Sequence, residues 1–245
     1  MKLSRSVMKL SNLEESLLRE KFKDGEAYDG AISRLQNGEP FAYVIGEWYF
    51  YDETYKVSPD CLIPRSETEH LVEWLIKNVP QNGTFADLCT GSGCIAISTL
   101  VHRKDLKAVA LDISERALEI AKENAIINGV SDRITFISGD VLGGCALGDS
   151  VYNVIVSNPP YIQTSVIDTL TEQVKKEPMI ALDGGTDGLD FYRVIFDRYT
   201  KNVISGGAVI CEIGYDQGEA LKELFGASIF KDYSGNDRIA LLNIK

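Results

Sequence analysis

Histidine is scarce in this chain: 245 residues hold only His70 and His102, and neither sits in a His-Glu-x-x-His pattern. The five cysteines, Cys61, Cys89, Cys94, Cys145 and Cys211, are odd in number and form no Cys-x-x-Cys pair. Neither a metal site nor a disulfide framework is therefore expected, and the thiols read as reduced and mostly buried. No apolar run reaches the roughly 18 residues of a membrane-spanning helix. The opening stretch MKLSRSVMKLSNLEESLLRE has no uninterrupted apolar core before Glu14 and Glu15, so it reads as a helix and not an export signal, with the cytoplasm as the expected location and no membrane partner. Positive charge is also short, with 25 Lys and Arg against 36 Asp and Glu and a net charge of −11. That balance disfavours stable nucleic-acid binding and suits a basic protein partner. Repeats and low-complexity tracts are absent.

What remains is an ordinary apolar share of 44%, enough for one large domain with a small appendage. Residues 10–22 and 26–37 read as two short helices, separated at Gly25 and stopped by Gly38-Glu39-Pro40. YVIGEWYFYDETYKVS alternates like a β-hairpin with its turn at Asp52-Glu53. Ser66-Glu67-Thr68-Glu69 matches a capping box ahead of the helical stripe Leu71, Val72, Leu75, Ile76. From Thr84 the rhythm changes to alternating β and α: TFADL, a helix from Ser92, KAVALD, a helix over 114–127, RITFIS and YNVIVS. A helix near 188–203, the strand GAVICEIG, a helix over 216–225 and strands near 227–232 and 238–244 complete it. Alternation of this kind gives a mostly parallel sheet with helices on both faces. The short Ser-Gly-Asn-Asp link makes the last two strands an antiparallel hairpin at the edge. The expected fold class is α/β, with a seven-stranded sheet, and it looks like the Rossmann-like class I methyltransferase fold. The expected divisions are a helical segment over 1–40, a β-hairpin linker over 41–65 and a methyltransferase domain over 66–245.

FADLCTGSGCIAIS carries the first strand into Gly91-Ser92-Gly93 and a helix, a junction that lets the backbone approach a ligand. Asp87 just before the turn would repel a pyrophosphate but attract an ammonium group. Asp112 ends the second strand, 21 residues past Gly91, where a carboxylate accepts from ribose hydroxyls. A helix N-cap is the plainer role for Asp112, but Ser114 competes for it. After the third strand, Asp140 can accept from an adenine amino group, with the Val141 amide nearby. A nucleoside with a cationic amino-acid tail is S-adenosylmethionine. Its expected contacts are Asp87, Cys89, Thr90, Gly91 and Gly93 at the first turn, Asp112 and Ile113 at the second, and Asp140 and Val141 at the third. Asn158 and Arg65 join them.

The fourth strand stops at Asn158-Pro159-Pro160-Tyr161. Proline fixes its own φ, removes an N–H and pushes the preceding residue toward extended backbone. The result is a wall of acceptors: the Asn158 side-chain oxygen and the Pro159 and Pro160 carbonyls. Such a wall suits a planar NH₂ group, whose two hydrogens can be pulled out of plane so that the nitrogen lone pair faces a methyl donor. Tyr161 can stack on that group. Catalysis is then mostly positioning, with Asn158, Pro159, Pro160 and Tyr161 as the catalytic set. A bare strand ending is the plainer reading of an isolated Asn-Pro-Pro.

Asn-Pro-Pro-Tyr is shared by adenine-N6 DNA methyltransferases, some RNA methyltransferases and glutamine-N5 methyltransferases of proteins. GEPFAYVIGEWYFYDETYKVSPDCLIPRSETEHLVEWL resembles the segment before the core in the peptide chain release factor glutamine methyltransferases, the HemK family. EPMIALDGGTDGLDFYRVI, CEIGYDQGEAL and KDYSGNDRIALL resemble it too, so that the likeness covers about residues 34–245. It implies S-adenosylmethionine as donor and, as substrate, the glutamine of the Gly-Gly-Gln loop of class-1 release factors. It further implies that Asn158 and the Pro159 carbonyl hold the glutamine amide. Ser66 and Glu67 stand where the family usually has Pro and Asp, and Arg65 remains, either a pocket contact or a surface ion-pair partner. Cys89 replaces a usual glycine, which points to a need for a small side chain more than for positive φ. The helical segment ahead of Arg34 is shorter than the family's usual docking domain. Asp183 to Gly188 reads either as a glycine-rich lead into a helix capped by Thr186 or Asp187, or as a flexible rim over the substrate entrance, and Glu212 as structural at a strand end. Rival readings are methylation of a ribosomal-protein glutamine or a nucleic-acid adenine, and a cofactor-binding module without transfer. Acidity weighs against adenine, and intact Asp112 and Asn-Pro-Pro-Tyr against the module.

Overall fold

A computed structural model describes residues 10–23, 25–144 and 146–245. The helix expected over the first nine residues and the thiol of Cys145 lie outside the described residues. The chain begins with α1 (Asn12–Phe22), α2 (Glu26–Gln36) and α3 (Phe41–Ile45), followed by the hairpin β1 (Glu47–Phe50) and β2 (Glu53–Lys56). Then come α4 (Glu69–Asn78), β3 (Thr84–Leu88), α5 (Cys94–His102), β4 (Lys107–Asp112), α6 (Glu115–Ile127), β5 (Ile134–Ser138) and β6 (Tyr152–Ser157). The chain closes with α7 (Asp190–Arg198), β7 (Val203–Glu212), α8 (Gly218–Phe225), β8 (Ser228–Lys231) and β9 (Asp237–Asn243). The large sheet has seven strands in the order β5-β4-β3-β6-β7-β9-β8. β3, β4, β5, β6 and β7 pair in parallel, and β9 runs antiparallel to both β7 and β8. No helix among the described residues is long and apolar enough to cross a membrane.

The central strands are apolar on both faces because helices cover both. One core includes Leu71 and Leu75 of α4, Ile95 and Leu100 of α5, and Val154 and Val156 of β6. The other holds Ile155 of β6, Val209 of β7 and Tyr192, Ile195 and Phe196 of α7. A separate cluster closes the N-terminal helices on themselves: Leu18, Ala31 and Leu35 pack with Val44 and Ile45 of α3. α1 starts at a capping box in which Ser11 and Glu14 bond reciprocally, a Ser-x-x-Glu signal that sequence reading passed over.

Three local expectations are corrected. YVI belongs to α3, so the hairpin starts only at Glu47, and its turn is Tyr51-Asp52 because Phe50 pairs with Glu53. Tyr51 takes the positive φ of 57° there. Glu53 is not a turn residue: its carboxylate is buried, accepting from Ser98 and facing His102 Nε2 at 3.0 Å, which fastens the hairpin to α5. The capping box at Ser66-Glu67-Thr68-Glu69 does not form, because a 3₁₀ turn over Ser66–Thr68 precedes α4 and leaves Thr68 in helical backbone without a capping bond. Glu69 instead accepts from the Tyr51 N–H at 3.0 Å. The helix expected from Ser92 starts at Cys94, with Gly93 at its N-cap in left-handed backbone.

Gly93 has φ +82°, and a Cβ built on it would lie 2.8 Å from Ile97 Cδ1 and 3.2 Å from Ala121 Cβ. It is the contact that lets α5 approach α6. Gly129 has φ +68° with nothing within 4 Å of its Cβ position. Gly93→Ala is expected to lower the unfolding free energy by about 2 kcal/mol through strain and overpacking together, and Gly129→Ala by about 1 kcal/mol through backbone alone. Urea unfolding of the two variants checks this, and equal losses would refute the packing role of Gly93.

Candidate active site

Parallel strands leave their carboxyl ends on one edge, and the turns that follow β3, β4, β5 and β6 meet there. They surround a cleft of about 530 Å³. Cys89, Thr90 and Gly91 after β3, Asp112 and Ile113 after β4, Asp140 and Val141 after β5, and Asn158 and Pro160 after β6 all line it, as does Arg65. Four of the expected residues stand outside the lining: Asp87, Gly93, Pro159 and Tyr161.

The first turn is a tight one. Thr90 N–H donates to the Leu111 carbonyl at 3.0 Å, which pulls the chain sharply off β3 toward β4. Cys89 therefore takes φ +58°, so the position does need left-handed backbone, contrary to the reading that only a small side chain is required there. A non-glycine residue in that conformation costs about 1–2 kcal/mol. Cys89 is a free thiol whose pKa burial pushes well up, which makes it inert as a nucleophile. Gly91, at φ +55°, has open space where a Cβ would stand, so its backbone faces the cleft bare. The Asp112 carboxylate accepts from Gly91 N–H at 2.8 Å and Ser114 N–H at 2.9 Å. Each oxygen thus has one bond and one lone pair to spare for ligand hydroxyls. Ser114 caps α6 by accepting from Ala117 N–H, so the cap and the acid are separate residues. Asp140 is exposed at the rim and accepts from Leu142 N–H at 2.8 Å.

Asp87 lies one layer behind the lining. It is fully buried, and its Oδ2 accepts from the Thr90 hydroxyl at 2.6 Å. Oδ1 has no partner at hydrogen-bonding geometry, the one buried side-chain polar atom in that state among the described residues, and only the more distant Ala96 N–H at the start of α5 favours the ionised carboxylate from the helix side. Burial, with a smaller push from Asp112, raises its pKa to about 7. Burial also raises Asp112. The lining holds Asp60, Asp112, Asp140 and Asp183 but one guanidinium, Arg65. An orphaned buried acceptor, a bare glycine backbone and an acid-rich wall fit a cationic nucleoside such as S-adenosylmethionine and suit a pyrophosphate poorly.

Arg65 is both things that sequence reading allowed. It lines the cleft, and it pairs with the buried carboxylate of Glu177, which also accepts from Ile63 N–H at 3.1 Å. This ties the wall formed by 60–68 to the wall formed by 177–183. Glu177 opens EPMIALDGGTDGLDFYRVI, a stretch that the sequence marks only by its resemblance. Across the cleft the rim is apolar, with Ile113, Leu142, Met179 and Ile180 exposed.

At the end of β6, Asn158 Nδ2 donates to Thr68 Oγ1 at 3.0 Å, and Thr68 Oγ1 donates to Glu212 Oε2 at 2.6 Å. No described residue donates to Asn158 Oδ1. Tyr161 turns its hydroxyl to Glu212 Oε1 at 3.3 Å, so its ring is held off the cleft wall, not laid along it as a stacking surface. Glu212, 1% exposed, is thus structural in burial but bonded into the site. Thr68 was seen by sequence only as part of the capping box. The one available signal for Glu212 is an acid closing the otherwise apolar strand AVIC.

The run Asp183 to Gly188 is packed, not a loose rim. Ile162 bridges Asp183 in parallel, and Gly184 N–H donates to the Ile162 carbonyl at 2.8 Å. A Cβ on Gly184 would lie 2.7 Å from Tyr161 Cα, and one on Gly188 2.4 Å from the Tyr161 carbonyl oxygen. These glycines give the backbone of Pro160-Tyr161 its clearance. The helix that follows has Leu189 at its N-cap with no side-chain cap bond, while Asp187 accepts from Leu189 N–H and Arg193.

Comparison with known proteins adds kinship to this geometry. Residues 66–185 match the family model described as methyltransferase small domain. The chain is 36% identical over 242 residues to the release factor glutamine methyltransferase of Aquifex aeolicus (strain VF5), covering 96% of this chain and 83% of that protein. It is 39% identical over 220 residues to that of Moorella thermoacetica (strain ATCC 39073 / JCM 9320), covering 86% and 77%. Among solved structures, the hMettl16 catalytic domain in complex with the MAT2A 3′UTR hairpin 6 shares the fold, with a TM-score of 0.61 at 17% identity over 78% of this chain and 75% of that one.

Asp87 generates a signed pH prediction. Below about pH 4 the folded and unfolded chains both hold its proton, and its burial costs no charge. As pH rises through about 7 the folded carboxyl must ionise, so its contribution to stability is lost over that window. A bound cation reverses this by favouring the ionised form. Binding of S-adenosylmethionine is therefore expected to release a proton near pH 6 and to tighten by up to about tenfold between pH 6 and 8. Asp87→Asn should flatten that dependence, weaken binding, and raise the unfolding midpoint of the ligand-free protein at pH 8. Calorimetry in two buffers of different ionisation enthalpy and thermal melts read both effects; unchanged proton release in the variant would exclude Asp87.

Proposed function

This chain belongs to the release factor glutamine methyltransferase family, and on that premise we propose that it methylates the side-chain amide nitrogen of the glutamine in the Gly-Gly-Gln motif of class-1 release factors. The observation that carries the reading is the state of Asn158: its NH₂ end is committed to Thr68, and its oxygen is free at the cleft wall. S-adenosylmethionine supplies an electrophilic methyl group carried on a sulfonium. Cys89, Thr90 and Gly91 would hold its amino-acid end over Asp87, Asp112 its ribose, Asp140 and Val141 its adenine, and Arg65 the facing wall.

An amide nitrogen is a poor nucleophile because its lone pair is delocalised into the carbonyl. Asn158 Oδ1 on the cleft lining would accept one of its hydrogens, and the Pro159 carbonyl, whose residue stands just outside the ligand-free lining, is the second acceptor that the family resemblance implies; together they would hold the NH₂ with its lone pair toward the cleft. Neither proline carbonyl has an N–H partner among the described residues, and of the two the Pro160 carbonyl is packed against Gly184. With the cofactor bound, the nitrogen would take the methyl group as the sulfonium's carbon–sulfur bond breaks to leave a neutral thioether, and would then release one N–H proton to solvent, so no strong base is needed. Positioning carries the rate. Pro160 shapes the wall, and Tyr161 anchors the tetrapeptide through Glu212.

The same reading divides the chain into a helical docking segment over 1–40, a hairpin linker over 41–65 and the transfer domain over 66–245. The apolar cluster of α1 and α2 reaches across residue 40 to Val44 and Ile45 of α3, and the bond from Tyr43 Oη to the Cys61 carbonyl at 2.6 Å joins α3 to the cleft wall, so the linker is packed against the segment it follows. The reading places the enzyme in the cytoplasm, with the release factor as a transient partner and no nucleic acid stably held.

Incubation with radiolabelled S-adenosylmethionine tests the proposal. Label is expected on an intact release factor and not on a version carrying Gly-Gly-Ala or on DNA. Asn158→Ala should lower the single-turnover rate by about a hundredfold or more, with the cofactor Kd within about twofold of the parent. Label on DNA, or a large loss of cofactor affinity in Asn158→Ala, would overturn the assignment.

A further inference from the structure

We propose that Glu212 and Thr68 form a positioning relay that fixes which end of the Asn158 amide faces the substrate. The two ends of an asparagine amide have nearly the same shape and opposite hydrogen-bonding character. If the NH₂ end faced the cleft it would present donors to a substrate NH₂ that also has only donors to offer. Shape cannot choose between the orientations, so the choice falls to the group behind.

That group is a hydroxyl whose polarity is already set. An ionised carboxylate only accepts, so Glu212 Oε2 takes the Thr68 hydroxyl proton at 2.6 Å. Thr68 Oγ1 then has only lone pairs left, and it accepts from Asn158 Nδ2 at 3.0 Å. A flipped Asn158 would set Oδ1 against Oγ1 with no proton between them, which leaves a buried acceptor unsatisfied. Polarity thus passes from Glu212 through Thr68 to Asn158, and the free oxygen faces the cleft.

The surroundings keep each member in place. Thr68 is 1% exposed and, in helical backbone at the start of α4, spends its hydroxyl on no helix N–H. Glu212 ends β7 one residue beyond the Ser157–Cys211 register pair, beside the residue that follows β6. Its other oxygen accepts from the Tyr161 hydroxyl at 3.3 Å and its backbone carbonyl accepts from Tyr192 Oη at 2.8 Å; burial raises its pKa, and the Thr68 hydroxyl, the Arg238 charge on β9 and the Tyr161 hydroxyl work against that rise in favour of the ionised form. One carboxylate therefore orients both polar ends of Asn-Pro-Pro-Tyr without touching the substrate.

The inference rests on Asn158 as the holder of the target amide, and the test separates the two. Parent, Thr68→Val and Thr68→Ser are compared for kcat, KM for the release factor, cofactor Kd and melting temperature. Thr68→Val keeps the shape and removes the hydroxyl. It is expected to lose about a hundredfold in kcat, with cofactor Kd within about twofold, and Thr68→Ser to recover to within about threefold of the parent. Thr68→Val should also lose about tenfold of the discrimination between intact release factor and a Gly-Gly-Glu version as competitive inhibitor, because a freed amide can turn its donors to the carboxylate. If Val misfolds by its melting temperature, Thr68→Ala gives the same comparison. Transfer by a folded Thr68→Val or Thr68→Ala at the parent kcat overturns the relay, whereas a parent that labels no release factor overturns the functional reading beneath it.

Discussion

Two carboxylates buried at the carboxyl ends of parallel strands organise this molecule. Taking a charge out of water costs several kcal/mol unless partners restore what water gave. Asp87 at β3 and Glu212 at β7 meet that cost in opposite ways. Glu212 is fully bonded, to Thr68 and Tyr161, so its charge is spent on holding the protein's own groups. Asp87 has one oxygen bonded to Thr90 and the other orphaned, so its charge is held in reserve. In the proposed function the first carboxylate would build the wall that grips the acceptor of the methyl group, and the second would leave a place for the cation that donates it. The parallel sheet puts both on one edge, and the strand order brings β3 and β7 to either side of β6.

Much of this was legible in the sequence because it is written in periodicity. Alternating apolar runs and helical stripes gave every strand of the large sheet to within a few residues, and the short Ser-Gly-Asn-Asp link placed the antiparallel edge. The carboxyl-edge turns were equally readable, since Gly91, Asp112 and Asn158 follow strands at fixed places. What failed to read is what depends on long-range partners. Ser66-Glu67-Thr68-Glu69 has the composition of a capping box, but Thr68 answers to Glu212, 144 residues away, and Glu69 to Tyr51. Asp52-Glu53 looks like a turn, yet burial of Glu53 against Ser98 pulls it into the strand. Glycines in Asp183 to Gly188 look like flexibility when their reason is close approach to Tyr161, a contact that no local pattern announces. Cys89 shows the same limit in the backbone: positive φ follows from where Thr90 bonds on β4.

The N-terminal helices are coupled to the cleft by side-chain hydrogen bonds and by a small apolar cluster in which Ala42 and Tyr43 of α3 pack with Val57, Cys61, Ile63 and Ala117. Arg34 of α2 donates to the Tyr43 carbonyl at 3.0 Å and pairs with Glu39, and Tyr43 in turn donates to the Cys61 carbonyl. Cys61 sits in the same wall as Arg65, which Glu177 clasps from across the cleft. Arg34, Tyr43 and Cys61 thus form a continuous hydrogen-bonded path from α2 to a cleft wall. The acid-rich lining has its sole guanidinium on this wall. Its salt bridge is half-exposed on the Arg65 side, so the clasp contributes geometry more than stability.

Asn-Pro-Pro-Tyr is over-determined, and in the proposed function that is how positioning alone would serve as catalysis. Two prolines restrict the backbone from within by fixing φ and barring the helical region before each ring. Gly184 and Gly188 restrict it from behind, since their missing Cβ atoms let the following loop press against Tyr161. Gln217 Nε2 ties the Tyr161 carbonyl and the Gly188 carbonyl together, each at 3.0 Å. The side-chain amide is restricted by Thr68. Each constraint removes a different freedom: backbone torsion, loop displacement and amide flip. A substrate amide that docks against such a wall meets acceptors already aligned, and the entropy of arranging them has been lost at folding and not at the moment of transfer. Relaxing any one constraint leaves the acceptors present but misaimed, and a misaimed acceptor cannot turn an amide's delocalised lone pair toward a methyl group.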